Sequence, residues 1–180
     1  MYLMQDDEDA RLVARCRAGD MSAFETLVRR YERVLFTVAL RMLGNRDEAA
    51  DATQETFVRV YERLETYDAT RRFFPWMYRI LMNDCLNTLR SRRPQAPITD
   101  ETLIGPGPFE ALDAAERAAR VQAALLSLPA EQREVIVLRH FAELSYEDIG
   151  GALDIPVKTV KSRIHGGKSR LARLLGGQGD

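Results

Sequence analysis

The side chains with the clearest chemistry lie in one basic segment near the end of the chain. Residues 155–179 contain six lysines and arginines and no acidic residue. Lysine, serine and histidine can hydrogen-bond to base edges in the DNA major groove, which admits a single helix. At helical spacing, Val157, Val160 and Ile164 form an inward stripe. The side chains off that stripe, which can point towards DNA, are Lys158, Thr159, Lys161, Ser162 and His165.

A helix-turn-helix is the element expected to position these side chains. Ser145 can cap a short helix, with Asp148 three residues later in the capping-box position. Asp154 tolerates the left-handed backbone of a turn, and Pro156 permits a sharp re-entry into the second helix. The alternative interpretation is a basic amphipathic helical hairpin that serves only for packing.

Two glycines interrupt the basic helix. Gly167 lies on the inward stripe between Ile164 and Leu171, where a small residue suits close packing. Gly166 lies on the outward side, where glycine costs about 1 kcal/mol of helix stability relative to alanine. The pair predicts that the DNA-reading surface ends about one turn earlier than the run of basic residues.

A second basic segment lies in the first half of the chain. Residues 71–93 carry six arginines and a single acidic residue, Asp84, whereas the whole chain has a net charge of −1. Two separated basic segments in a nearly neutral chain indicate two contact surfaces for a polyanion such as nucleic acid. Ordinary solvated helix faces are the alternative interpretation.

The elements that must carry these surfaces are predicted to be helical throughout. Apolar residues recur at spacings of three and four, and strand signals are nearly absent. Residues 94–109 contain four of the seven prolines and two glycines, which is typical of a linker. The prediction is an all-α chain of two small domains, 1–93 and 110–180, joined by that linker.

Two of the expected helices have boundaries or faces that the pattern defines. Ser22 and Glu25 are predicted to form a capping box, and Gly44 to end the helix that follows. A helix over about 47–64 is predicted to have one apolar side, formed by Phe57, Val58, Tyr61 and Leu64. A further helix is expected to start at Pro75, a favoured first-turn residue.

Composition and motifs exclude several classes of protein. No apolar run approaches the ~20 residues needed to span a bilayer, and the acidic N-terminus lacks the pattern of a secretory signal. Cys16 and Cys85 stand alone, which argues against a disulfide scaffold or a zinc site and favours the cytoplasm. No phosphate-binding loop or catalytic motif is present, so neither enzymatic activity, nor a cofactor, nor a metal is expected.

Two stretches together resemble one family, the bacterial sigma-70 factors of the extracytoplasmic-function (ECF) group. Residues 125–164, "LLSLPAEQREVIVLRHFAELSYEDIGGALDIPVKTVKSRI", resemble region 4 of that family. Residues 47–68 and 71–93, which include "RRFFPWMYRI", resemble region 2. The resemblance implies an RNA polymerase subunit that recognises promoters and helps to melt DNA. Gly150 and Gly151 stand where relatives usually have helix formers.

In region 2 the resemblance implies contacts with core RNA polymerase and with the −10 element. Asp51, Gln54 and Glu55 match positions that dock on the coiled coil of the β′ subunit. The loop between Leu64 and Phe74 matches the one that captures a flipped base, and the next helix faces melting DNA. The residues implied at the −10 element are Tyr67, Arg71, Arg72, Phe73, Trp76, Arg79, Asn83, Asn87 and Arg90. For Trp76, a core position and a DNA contact are both open.

In region 4 the resemblance implies recognition of the −35 element and contact with the β flap. Lys161, Ser162 and His165 are the implied reading residues, with Lys158 and Thr159 nearby and with Arg163 and Lys168 towards the DNA backbone. An anti-sigma protein is a further implied partner. The alternative function is a stand-alone helix-turn-helix regulator that binds duplex DNA as a dimer.

Overall fold

A computed structural model describes residues 3–92 and 110–176 of the chain. The linker expected at 94–109 lies outside the described residues, and the domain boundaries that it would set stay predictions. The fold class is confirmed as all-α, since every regular element in the described ranges is helical. The helices are α1 (Leu3–Arg17), α2 (Met21–Leu43), α3 (Arg46–Arg63), a short 3-10 turn (Leu64–Thr66), α4 (Phe73–Ser91), α5 (Glu110–Leu126), α6 (Ala130–His140), α7 (Tyr146–Leu153) and α8 (Val157–Gly176).

Helix ends follow local capping chemistry. Gly44 ends α2 in the left-handed conformation, with φ +71° and its N–H donating to the Leu40 oxygen, as expected. The predicted capping box of Ser22 and Glu25 is wrong. The carboxylate of Asp20 caps α2 instead, because it accepts from the Ser22 N–H at 3.0 Å. The start of α4 at Phe73, two residues before Pro75, also differs from the expectation.

The first four helices enclose one apolar core, with α2 packed against α1, α3 and α4. Large side chains of α2 and α4 fill this core and are almost completely buried, among them Leu27, Leu35, Met42, Met77 and Leu81. The core thereby leaves one polar face each of α3 and α4 outside the packing of these four helices.

The apolar side predicted for α3 is only partly the buried one. Small residues such as Ala49 and Ala52 make its buried face, together with Val60. Val58 and Tyr61 are about half exposed, at 51% and 49%. The small buried residues let α3 approach α2 closely, which leaves its larger apolar side chains on the outer surface.

The last four helices pack around Leu125, Leu138, Leu144 and Ile149, which belong to the same continuous core as the first four helices. Helix α7 begins after the predicted cap, with the Ser145 hydroxyl accepting from the Asp148 N–H at 3.0 Å. Asp154 has a φ of +57°, which confirms the left-handed turn. The two helices α7 and α8 therefore form the expected helix-turn-helix.

Close approaches explain two of the glycines in this cluster. A Cβ at Gly150 would lie 2.9 Å from the Ile155 carbonyl oxygen, so the tight turn excludes a larger residue there. A Cβ at Gly167 would lie 2.9 Å from Cγ1 of Ile136, which confirms the close packing of α8 on α6. Gly166 is half-buried instead of fully outward, since its Cβ would lie 3.1 Å from Nε2 of Gln132.

The two helical groups pack against each other through α2, α5 and α6 and through α4 and α7. The buried guanidinium of Arg133 on α6 joins them at the C-terminal ends of α2 and α5. It donates to backbone oxygens of Met42 (2.6 Å), Leu126 (2.7 Å), Leu125 (3.0 Å) and Leu128 (3.1 Å). Burial lowers the pKa of this guanidinium. The carbonyl oxygens offset that cost, because a helix C-terminus carries partial negative charge.

We expect Arg133→Met to lower the free energy of unfolding by about 2–4 kcal/mol, because buried carbonyl oxygens lose their donor. Chemical denaturation of the full chain measures the loss. Arg117→Met is the matched control, since Arg117 is exposed on α5 and its change should stay within about 0.5 kcal/mol. Equal losses in the two variants would contradict the role of the buried guanidinium.

Candidate nucleic-acid interface

Helix α8 presents a polar surface beside the helix-turn-helix. Val160 and Ile164 are buried and anchor the helix against α6 and α7. Thr159 is half-buried, and the Ser162 hydroxyl donates to its carbonyl oxygen at 3.0 Å. The remaining predicted side chains on this side are exposed, namely Lys158, Lys161, Ser162, His165 and Lys168. Their spacing brings them onto one side of the helix, where a groove of DNA can be contacted.

Tyr146 is a supporting residue that the sequence analysis missed. Two cations lie near its ring, with the Lys161 ammonium 5.9 Å and the Arg139 guanidinium 5.2 Å from its centroid. Tyr146 is the first residue of α7, directly after the cap Ser145. An aromatic residue directly after the cap was the available signal in the sequence. Its two partners, Arg139 and Lys161, lie on α6 and α8.

Arg163 differs from its expected orientation towards DNA. Its guanidinium contacts α6, with Nη1 2.9 Å from Glu134 and Nη2 3.1 Å from Glu131. Burial raises the pKa of the Glu134 carboxyl to about 7, although Arg163 acts to lower it. Arg163 directly precedes the buried Ile164, so its side chain lies close to α6. There it pairs with the carboxylates of Glu131 and Glu134.

Helix α4 presents the second polar surface. Arg79, Asn83, Asn87 and Arg90 are exposed at spacings of four, four and three residues, so they share one face. Asp84, by contrast, is buried and bonded to Arg59 of α3. The exposed face combines two cations with two amides, which suits contacts with both phosphates and bases.

The aromatic residues before and within α4 form a cluster. Tyr67 and Phe73 are only 4% and 2% exposed, and Trp76 is half-buried. The ring centroids lie 5.1 Å apart for Tyr67 and Trp76, and 5.7 Å for Phe73 and Trp76. In this conformation the rings of Tyr67 and Phe73 are not open to a base, whereas Trp76 packs on the core and is only half-buried.

Ion pairs connect the loop and α4 to the helix-turn-helix. Arg72 Nη1 lies 2.6 Å from Oδ2 of Asp148, and Arg79 Nη2 lies 3.2 Å from Oδ2 of Asp154. Arg71 is exposed and lies 3.5 Å from Asp68 in its own loop. Neither long-range pair can be recognised in the sequence, because the partners are 75 and 76 residues apart in the chain.

An open groove of about 600 Å³ separates α4 from the C-terminal helices. Arg79, Asn83 and Arg90 line one wall of this groove. Glu134, Leu153, Ile155 and Arg163 are among the residues that line the other. Most of the polar face of α4 is therefore turned towards the second helical group.

The exposed face of α3 combines acceptors with apolar surface. Asp51 is exposed, and Gln54 and Glu55 are exposed one turn later on the helix. Glu55 pairs with Arg59 at 2.8 Å. Val58 lies one turn further along the same face. This mixture suits a partner helix that offers both cations and apolar side chains.

Neither a metal site nor a membrane-spanning helix is found in the part of the chain that the structure describes. Within residues 3–92 and 110–176, no group of three or more His, Cys, Asp or Glu residues could hold a metal ion. Among the helices in these same ranges, none has both the length and the apolar character to cross a membrane.

Comparison with known proteins gives matches to both halves of the chain. The family model of sigma-70 region 2 matches residues 27–95, and that of sigma-70 region 4 matches residues 118–171. The ECF RNA polymerase sigma factor SigW of Bacillus subtilis is 35% identical over 91% of this chain and 94% of its own length. The RNA polymerase sigma-H factor of Pseudomonas aeruginosa is 32% identical over 96% of each chain.

Solved structures share the same arrangement of helices. CnrH in complex with the cytosolic domain of CnrY has a TM-score of 0.77 at 28% identity, covering 96% of this chain and 99% of that chain. The sigma factor RpoE of Bartonella quintana, in complex with the anti-sigma factor NepR, has a TM-score of 0.70 at 23% identity. That match covers 87% of this chain and 98% of RpoE, and it speaks for the fold alone.

We expect the contribution of Glu134 to stability to fall as pH rises from about 4.5 to about 7, because folded Glu134 keeps a proton that the unfolded chain has already lost. Above that range the contribution levels off. Glu134→Gln should flatten this part of the pH profile, measured by chemical denaturation at several pH values. Glu147→Gln, an exposed change on α7, should leave the profile as it is. If the profile of Glu134→Gln keeps the original slope, the pH dependence of stability arises from other titratable groups.

Proposed function

The chain belongs to the sigma-70 family, in its ECF group, and we propose that its two polar helix faces read the −10 and −35 promoter elements. As a promoter-specificity subunit, it joins core RNA polymerase in the cytoplasm and helps to melt promoter DNA. It supplies binding energy and positioning, and it catalyses no reaction itself. The observation that carries this proposal is the pair of exposed polar faces, on α4 and α8, within regions that match sigma-70 regions 2 and 4.

Helix α8 is the proposed reader of the −35 element. Lys161, Ser162 and His165 face base edges, while Lys158, Thr159 and Lys168 lie beside them. The exposure of five of these side chains on one side of α8 supports the assignment. Arg163 joins this set only if it leaves Glu131 and Glu134, so in the arrangement described its proposed part is to fix α8 on α6.

Helix α4 and the loop before it are the proposed reader of the −10 element. The proposed contacts with the single strand come from the exposed face of α4, formed by Arg79, Asn83, Asn87 and Arg90. Arg71 and Arg72, at the end of the loop, add two further cations. Single-stranded DNA binding combines cationic grooves with aromatic stacking, which is worth about 1–3 kcal/mol per base. Trp76, which is half-buried, is the proposed stacking residue. The buried rings of Tyr67 and Phe73 support the loop from below in this conformation.

Core polymerase binding is proposed for the exposed face of α3, with Asp51, Gln54 and Glu55 as its acceptors. Its apolar part, Val58, adds contact area that loses water on docking. The β′ coiled coil is the proposed partner of this face, and the β flap that of α6. An anti-sigma protein is proposed as the regulatory partner. The comparisons give no support to a stand-alone duplex-binding regulator.

The decisive experiment is promoter-directed transcription with purified core polymerase on promoters selected from the source genome. The full chain should direct initiation at specific sites, which core polymerase alone does not do. If the chain directs no initiation on any selected promoter, the proposed function is wrong.

We expect Lys161→Ala to lower transcription from −35-dependent promoters by about tenfold, because one good base contact is worth about 1–3 kcal/mol. Arg173→Ala is the matched control, since it removes a charge from an exposed position later on the same helix. Affinity for core polymerase, measured by competition against another sigma factor, should be unchanged in both variants. Equal loss of core affinity and transcription would refute the reading role of Lys161.

We expect Asp51→Ala and Val58→Ala each to lower the affinity for core polymerase several-fold, since each truncates the proposed docking face. The same competition assay measures the effect. Glu32→Ala, an exposed change on α2, is the control and should compete like the unmodified chain. A variant with unchanged affinity removes its residue from the interface.

A further inference from the structure

We infer that Arg17 of α1 is a positioning residue for reading of the −10 element, because its guanidinium holds the start of the loop before α4 in one conformation. The inference rests on the proposed function, in which this loop and α4 read the −10 strand. Arg17 lies before the stretch that the family model of region 2 matches, 27–95. The juxtaposition that carries the inference is one side chain of α1 among three carbonyl oxygens of residues 64–67.

The Arg17 guanidinium binds the backbone of the turn that follows α3. Its Nε and Nη2 atoms donate to the Leu64 oxygen at 3.0 and 2.8 Å, and Nη2 also donates to the Glu65 oxygen at 3.3 Å. A further bond joins Nη2 to the Tyr67 oxygen. Carbonyl groups are obligatory acceptors whose partial negative charges repel one another, so the guanidinium supplies the donor that lets them converge.

Capping of α3 does not account for all of these bonds. Leu64 is the C-cap residue of α3, where a cation is favourable in general. Tyr67 lies beyond both α3 and the 3-10 turn, with the extended backbone angles φ −68° and ψ 128°. The bond from Arg17 to the Tyr67 oxygen therefore fixes the loop itself, at the residue where the chain leaves the turn.

Tyr67 connects the held backbone with the proposed stacking residue. Its ring centroid lies 5.8 Å from the guanidinium carbon of Arg17 and 5.1 Å from the ring centroid of Trp76. Its hydroxyl donates to the carbonyl oxygen of Arg71, near the other end of the loop. Fixing Tyr67 therefore fixes both the path of the loop and the ring against which Trp76 packs.

The residues between Tyr67 and Arg71 form a turn of their own. The Asp68 carboxylate accepts from the N–H of Thr70 at 3.0 Å and from its hydroxyl at 2.7 Å. The Arg71 N–H donates to the Asp68 carbonyl oxygen at 3.0 Å. Because this exposed turn is bonded internally, its direction depends on its attachment at Tyr67, where Arg17 holds the backbone.

Helix α1 is itself anchored, so that it can serve as a support. Leu12 is buried in the core. Asp9 is completely buried, and its carboxylate accepts from Nη1 of Arg30 at 2.6 Å and from the hydroxyl of Tyr31. These contacts tie α1 to α2, so Arg17 reaches the loop from a fixed position.

A loop held in one conformation should discriminate between bases better than a loose loop. A preorganised site loses less binding free energy to its own ordering. It also resists the rearrangement that would accommodate a wrong base, which is one source of specificity. We therefore expect Arg17 to raise both the affinity for the −10 strand and the preference for the correct base.

The test compares holoenzymes that contain the full chain with Arg17→Met or Arg17→Lys. Methionine removes every donor, whereas lysine keeps the charge and loses the planar fork. The probe is a fluorescent non-template strand of a −10 region selected with unmodified holoenzyme. A second strand is changed at the base whose substitution weakens binding most. Both variants should bind the first strand about three- to tenfold more weakly, and the ratio of the two affinities should fall about threefold.

The matched control is Arg11→Met, which removes the same charge from an exposed position of α1 and should bind both strands like the unmodified holoenzyme. Core affinity and binding to a −35 duplex should be unchanged in every variant. The ratio of affinities does not depend on the fraction of folded chain, so partial unfolding cannot imitate the effect.

Hydrogen exchange of the free chains is the second readout. The bonded amides of Tyr67, Thr70 and Arg71 should exchange several-fold faster in Arg17→Met and Arg17→Lys, because the loop opens locally more often. The same amides should exchange at the unmodified rate in Arg11→Met.

An unchanged ratio of affinities in Arg17→Met would overturn the inference, as would exchange rates that match those of Arg11→Met. Full recovery of the ratio in Arg17→Lys would also overturn it, because charge alone would then explain the effect. Absence of any base preference in the unmodified holoenzyme would instead count against the proposed function, while the exchange rates would still show whether Arg17 holds the loop.

Discussion

The buried guanidinium of Arg133 is the contact on which the arrangement of the two helical groups depends. It brings together the C-terminal end of α2 and the segment that joins α5 to α6. A buried cation is unfavourable on its own, and here the negative ends of two helices compensate for it. Because α6 is held against α2 in this way, the helix-turn-helix that follows comes to rest on α4. The ion pairs of Arg72 and Arg79 are thus consequences of a constraint that lies elsewhere in the fold.

Much of the fold could be predicted because its determinants are local. The cap at Ser145, the left-handed turn at Asp154 and the helix end at Gly44 each depend on a few neighbouring residues, and each is confirmed. The outward side of α3 was harder. Helical spacing identified Val58 and Tyr61 as apolar, but small alanines bury α3 from the other direction. Periodicity detects an apolar stripe and does not say which of two stripes the neighbouring helix covers.

The residues of the candidate interface fall into two groups, those whose exposure follows from a local pattern and those whose position depends on distant contacts. Exposure of Lys161 and His165 follows from their distance from the stripe that anchors α8, so a pattern of residues was sufficient there. The loop before α4 could not be predicted from such a pattern alone. Tyr67 and Phe73 are aromatic, like residues that stack on bases, but their side chains are buried in the core. The inward turn of Arg163 depends on carboxylates of α6, and that of Arg72 on a carboxylate 76 residues away. Long-range electrostatic pairs of this kind leave no periodic trace in a sequence.

The cation–π contact between Lys161 and Tyr146 has a consequence for the thermodynamics of the proposed DNA reading. A free lysine side chain carries roughly 2 kcal/mol of rotamer entropy, most of which is lost when its ammonium is fixed on a base. The Tyr146 ring, with Arg139 on it as well, already restricts the lysine before any ligand arrives. Part of the ordering cost is then met during folding, and a lysine so restrained binds with a less unfavourable entropy than one extended freely into solvent.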